Sequence, residues 1–366
     1  MSGCCAQSVV TEPGSTGTNL RPVLSPRTGL DQAGLPEKVV NPPESPVPGG
    51  PSVCQTYAMI LSQASPVETP PTPVDLQAMA AALARSPDYR ILRRLAARPI
   101  YTPIIGTDVR TGILLDTETT GLDHSHDEII ELGMVKFDYT TEGRIVGVRN
   151  TLSAFNEPSA PISSEVRALT GITDEMVAGH RFDDAAIAAF IDDAVIVIAH
   201  NSGFDRKFAE RYWPVFEHKA WGCSMSEIDW RKHGFAGSQL GYLLNGAGFF
   251  HQAHRAVDDC HALLEILDFV LPTTGAPALA LLLETARRPT LRVWAEQTAF
   301  QLKDSLKRRG YRWNDGSDGR PKSWFIDVEE TALDDEIAFL RSEIYMQDVE
   351  PTVQRLTAFT RFSGRI

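Results

Sequence analysis

The sequence predicts an α/β fold built on a mixed sheet, and three observations carry that expectation. Residues 112–116, 130–139 and 144–155 read as an opening antiparallel meander, the second strand with the alternation Met134, Val135, Lys136, Phe137, Asp138, Tyr139. An apolar run at 194–199 (Ala-Val-Ile-Val-Ile-Ala) reads as a further buried strand. Helical patterns alternate with these runs, among them residues 206–212 and the apolar positions Ala262, Leu263, Ile266, Leu267 and Val270.

In chain order, residues 1–72 are rich in Pro, Gly, Ser and Thr and are expected to be disordered, because they offer little apolar surface against chain entropy. Residues 73–104 read as a helical lead-in of two short helices, one through Leu76, Met79 and Leu83, the other through Tyr89, Ile91, Leu92 and Leu95. The main domain is expected over residues 105–271. A small basic and aromatic α+β module with an acidic helical tail is expected over residues 286–366. With 366 residues the chain exceeds one ordinary domain and can bury a sizeable core.

The strand at 112–116 delivers two acids, Asp116 and Glu118, two residues apart and therefore on one face. Thr119-Thr120-Gly121 then lets the chain turn sharply. Two carboxylates at the end of a buried strand are costly unless a cation lies between them. Asp205 follows the strand at 194–199 near a helix start, and His254 and Asp259 stand at the head of the apolar helix. Four carboxylates at the ends of apolar elements suit hard divalent cations.

Three motifs occur in order: Asp116-Thr117-Glu118, Asn201-x-x-Phe204-Asp205 and His254-x4-Asp259. Over residues 108–270 the chain thereby resembles the DEDDh family of 3′–5′ exonucleases, which includes the epsilon-subunit-like exonucleases of bacterial DNA polymerase III. The resemblance implies a ribonuclease H-like fold, with about five strands flanked by helices. It also implies a metal-dependent 3′–5′ exonuclease in which Asp116, Glu118, Asp205 and Asp259 hold two Mg²⁺ or Mn²⁺ ions and His254 is the general base. Adjacent Asp258 points about 100° away on a helix and is expected to be solvated. His251, three residues upstream of His254, is the competing base.

Substrate contacts implied by the same resemblance are Thr119, Thr120, Leu122, Thr170, Ile172, Asn201 and Phe204. Each has a plainer reading: a strand-to-loop turn for Thr120 and Leu122, core packing for Phe204, and a helix start at Thr173 for the segment around Thr170 and Ile172. The expected partners are single-stranded DNA or RNA 3′ ends and a DNA polymerase subunit. The competing function is a polymerase-associated or nucleic-acid-binding accessory protein with secondary nuclease activity, or an RNA-processing exoribonuclease. All five catalytic positions are filled, which argues against a degenerate site.

Five scattered cysteines without CxxC spacing argue against a disulfide framework or zinc site and fit a reducing cytosol. No apolar run is long enough to span a membrane, and no basic-then-apolar leader opens the sequence, so a cytoplasmic protein is expected. Residues 105–270 carry 13 Lys/Arg against 26 Asp/Glu, whereas residues 286–322 carry 10 against 4. That basic stretch interleaves with Trp294, Phe300, Tyr311 and Trp313, as a phosphate-tracking, base-stacking surface requires. The competing reading makes the aromatics a small core, with a helix at 303–309 between strands and the Lys/Arg outside.

Overall fold

The computed structural model describes residues 73–103, 108–316 and 319–365. The expected disorder of residues 1–72 therefore lies outside the described residues. The chain enters through helix α1 (Pro73–Leu83), which leaves Leu76 and Met79 exposed. The second helix expected near Tyr89 is absent. Arg93–Arg94 instead form a short strand, β1, whose neighbours are tied down by Arg93 N–H to Gly248 carbonyl and Leu95 N–H to Phe250 carbonyl. Backbone pairing to a distant segment overrides a weak local helical pattern here.

The meander follows as β2 (Val109–Thr119), β3 (Ile129–Thr140) and β4 (Ile145–Phe155). Helices α2 (Ser164–Thr170), α3 (Asp174–Val177) and α4 (Asp184–Ile191) lead to β5 (Ile196–Ala199), α5 (Ser202–Tyr212) and β6 (Ala220–Cys223). The sheet order is β4-β3-β2-β5-β6, antiparallel within the meander and parallel from β2 to β5 and β5 to β6. This is the ribonuclease H-like mixed sheet. Next come α6 (Leu240–Gly246), β7 (Phe249–Phe250), which pairs with β1, α7 (Ala256–Asp268) and α8 (Ala278–Arg287).

Side chains alternate across β2 and feed two cores. Ile113 and Leu115 pack with Val197, Phe208 and Trp213 on the α4–α5 side. Leu114 packs with Leu263, Ile266 and Leu282 on the α7–α8 side. Gly133 lets α7 lie directly on β3, since a Cβ there would stand 2.4 Å from the Ala256 carbonyl carbon.

A second sheet, order β11-β8-β10-β9 and antiparallel throughout, forms from β8 (Thr290–Ala295), β9 (Arg312–Asn314), β10 (Ser323–Glu329) and β11 (Val353–Leu356). Helices α9 (Lys303–Arg309) and α10 (Leu333–Phe339) cover one face, enclosing Val293, Ala295, Leu306, Tyr311, Trp324 and Leu340. The helix expected at 303–309 is there. The acidic tail is not simply a solvated face: Glu336 is buried against Arg309 and the Tyr311 hydroxyl.

Residues 357–365 leave the small sheet and strap the first one. The fully buried Arg206 of α5 donates to the carbonyls of Ala358 (3.1 Å), Phe359 (2.6 Å) and Arg361 (2.7 Å). Arg361 pairs with buried Glu227, and Ser363 and Arg365 both reach Glu210. Cutting the chain near residue 271 would therefore leave Arg206 and Glu227 buried without these partners.

Candidate active site

The alternation that builds the two cores also sorts the acids. Asp116 and Glu118 share the parity of Leu114 and leave β2 on the α7 side, where the first turn of α7 presents Asp259. Carboxylate oxygens of Asp116, Glu118 and Asp259 lie within 4.8 Å of one another. Thr117 points the other way, toward α5. There Asp205 Oδ1 accepts from the Thr117 N–H (3.1 Å) and hydroxyl (2.9 Å). Asp205 thus stands beside the trio, anchored on the strand between the two acids. Asp258 is exposed.

Burial and mutual repulsion push these acids upward. Burial raises Glu118 to about 8, with Asp259 and Glu131 adding to it. Burial raises Asp205 to about 7, although the Thr117 hydrogen bonds oppose the shift. Asp116 lies well above the usual carboxylate range, through burial and then the charges of Asp205 and Asp259. Three converging carboxylates fit a divalent cation, whose charge would offset this repulsion.

A fifth acid escaped the sequence reading. Glu131 lies directly opposite Glu118 across the β2–β3 ladder and is 1% exposed. Arg255 offsets the repulsion of the facing carboxylates, donating to Glu131 at 3.0 and 3.2 Å, while the Ala256 N–H at the start of α7 also points to Glu131 (3.2 Å). The Arg255 N–H donates to Asp259 Oδ2 (3.1 Å). The signal was present in the sequence, since Glu131 shares the core-facing parity of Gly133 and Val135 in β3 and an acid there demands a partner.

The two histidines divide differently from the motif spacing. His251 Nε2 lies 2.8 Å from Asp259 Oδ1, with its side chain nearly buried. His254 is exposed, its backbone is left-handed (φ 64°), and it makes no hydrogen bond among the described residues. His200, at the end of β5, bonds Ser224 through Nδ1, and burial lowers it to about 4.

The expected substrate residues fall into two groups. Leu122 is 85% exposed and Asn201 is exposed at the start of α5, where its side chain does not cap the helix. The others serve the fold. Thr119 donates to the Gly121 carbonyl and Thr120 to Asp127, which together shape the turn after β2. Phe204 packs on Phe208, with ring centroids 4.9 Å apart. The side chains of Thr170 and Ile172 are buried, the first bonded to the Val166 carbonyl and the second in a cluster with Ile130, Ile162 and Val177.

Residues 113–267 match the RNase_T family model, described as exonuclease. Among curated relatives, a PolC-type DNA polymerase III from Thermotoga petrophila is 33% identical over 172 residues, 43% of this chain and 11% of the relative. Its counterpart from Thermotoga maritima is 34% identical over 173 residues, with the same coverage of both chains. The chain thus spans about a tenth of the length of the curated relatives it matches. Among solved structures, Exonuclease X in complex with 5′ overhanging duplex DNA is 26% identical, with TM-score 0.36, covering 48% of this chain and 99% of that one. The zinc-bound form of an E. coli ExoI–ssDNA complex is 14% identical, with TM-score 0.41, covering 69% and 66%.

Proposed function

We propose that residues 113–267, which match the exonuclease family model, make this protein a metal-dependent 3′–5′ exonuclease of DNA. One observation carries the reading: Asp116, Glu118 and Asp259 converge within 4.8 Å at the end of β2, inside the matched segment. These three, with Asp205 beside them, would hold two Mg²⁺ or Mn²⁺ ions. When bound, the ions supply the positive charge that stabilises the phosphodiester during hydrolysis.

The chain's own groups do the rest. Asp205 is oriented by Thr117, and Asp259 by the Arg255 N–H and His251. His254, five residues before Asp259, takes the proton of the attacking water. Its imidazole is free of other hydrogen bonds, and bringing it to the cluster takes a change in the loop 251–255, where its left-handed backbone concentrates strain. Leu122 and Asn201 meet the terminal nucleotide. The polymerase names of the relatives support a place in DNA synthesis or repair.

The test is degradation of end-labelled single-stranded DNA, duplex DNA and RNA with Mg²⁺ or Mn²⁺, comparing free and 3′-blocked ends. Stepwise loss from free 3′ ends of DNA is expected. Equal degradation of blocked ends, or none with either metal, removes the reading.

A further inference from the structure

We propose that the uncovered face of the small sheet is a second nucleic-acid site, gripping the single strand on the 5′ side of the cut. This rests on the exonuclease reading and adds to it a binding site remote from the acids.

Alternation divides the module into two faces. Val293, Ala295 and Trp324 point to α9 and α10, so Arg292, Trp294 and Phe325 point the opposite way, with Arg312 paired to Phe325 across the ladder. Among the described residues no helix covers that second face. It forms one wall of a cleft of about 1030 Å³, whose other wall includes Leu122, Gly203 and Lys207. Leu122 follows Glu118 by four residues and Gly203 precedes Asp205 by two, so the cleft is lined in part by the two segments that carry these acids.

The chemistry of the face suits unpaired nucleotides. Arg292 and Arg312 lie over the Phe325 ring at 4.5 and 4.7 Å from its centroid. Asp327 holds both guanidiniums, Arg292 at 2.7 and 3.1 Å and Arg312 at 2.6 Å. One carboxylate shared by two arginines leaves a positive excess. Each guanidinium keeps N–H donors that Asp327 does not use, set in a fixed plane for phosphate oxygens. Phe325, partly exposed, is the ring this face offers to an unpaired base, whereas Trp313 pairs with Trp324 on the other side of the sheet, their ring centroids 5.3 Å apart. Elsewhere in the cleft Asp123, Asp315 and Glu227 stand against Lys207 and Arg361, so the lining as a whole carries no net charge. The grip therefore comes from oriented guanidiniums and stacking rather than from a broad positive field, which favours a threaded single strand over a duplex.

The basic residues of α9 lie on the covered side. Arg309 is paired with Glu336, and Arg308 bonds its own helix. Charge in the stretch 286–322 thus divides between two faces, and only one meets the cleft.

Binding is measured by fluorescence anisotropy in EDTA, so that hydrolysis does not intervene, with oligothymidylates of about 4 and about 20 nucleotides. Two variants test the face: Arg312→Gln/Phe325→Leu, cross-strand partners on that face, and Arg292→Gln/Asp327→Asn, which removes both members of a pair and leaves no lone buried charge. Each should cut the affinity advantage of the long strand about tenfold, and the first should make the log–log salt slope shallower by about 0.7. Arg308→Gln, on the covered side, should change neither. A photoreactive oligonucleotide should cross-link to Phe325 or Arg312 in the unaltered protein, a readout independent of variant folding. Unchanged affinity ratio and salt slope in both double variants, or cross-links confined to α9, overturn the proposal. Cleavage assays with Mn²⁺ separate the two ideas: strand binding by this face without hydrolysis of any oligonucleotide would sink the exonuclease reading alone.

Discussion

His251 Nε2 sits 2.8 Å from Asp259 Oδ1, while His254, at the motif position, stands exposed without a hydrogen bond. Two imidazoles three residues apart thus have different tasks. In the proposed mechanism His251 orients a carboxylate and His254 is the general base. His254→Ala should lower kcat by about 10²–10⁴-fold with little change in substrate affinity. His251→Ala should be milder and act chiefly through a higher metal requirement. Single-turnover rates across a Mn²⁺ titration distinguish them, and the reverse ranking would make His251 the base.

The acidic cluster should make stability depend on pH and metal together. Glu118 rises from 4.5 to about 8 on folding and Asp205 from 3.8 to about 7. The folded state therefore binds more protons than the unfolded chain between about pH 4 and 8, and stability falls as pH rises through that window. In EDTA the melting temperature should drop between pH 5 and 8, on the order of 5 °C. Saturating Mn²⁺ should remove most of the drop, and Asp116→Asn should flatten it while abolishing hydrolysis. A melting temperature that rises over this range in EDTA would contradict the assignment.

Glu131 and Arg255 form a pair whose halves cannot be removed separately. Arg255→Gln leaves a carboxylate that is 1% exposed with only the Ala256 N–H as partner. Unfolding by urea should show a loss of about 3 kcal/mol. The double variant Arg255→Gln/Glu131→Gln should recover most of it, because no lone charge remains. Equal losses in the single and double variants would show that the pair does not act as a unit.

The strap should be part of the nuclease fold. Deleting residues 357–366 strips Arg206 of three carbonyl partners and Glu227 of Arg361. A loss of at least about 3 kcal/mol is expected, with hydrolysis reduced in parallel, since α5 carries both Arg206 and Asp205. Thermal unfolding checks this, and an unaltered transition would show the strap to be ornamental.

These outcomes bear on how far the sequence could be read. Ile113 to Glu118 were legible because alternation and the cost of buried charge are local rules, and they placed both acids on the correct face of β2. Helix 303–309 was legible through its glycine stop at Gly310, left-handed at φ 105°. The strand at Arg93–Arg94 was not, because its pairing partner Phe249–Phe250 lies far along the chain and its own pattern is neutral. Strand β6, Ala-Trp-Gly-Cys, is too short to show a period. Arg206 reads as one more surface helix charge until residues 358–361 enclose it. Ile172 illustrates the opposite failure, where a motif's place in a family says less than the four-residue apolar cluster that buries it.

The strap also dictates an order of assembly. Arg206 meets its carbonyl partners across 152 to 155 residues of chain, so the closure is among the most entropically delayed contacts in the molecule. During synthesis the helix bearing Asp205 is made early and waits, its guanidinium unenclosed, until the small sheet has been translated and folded. The chain's cutting centre is thus completed late, after the surface proposed to hold the strand already exists. A partly made chain would carry the motifs without the architecture that makes them act.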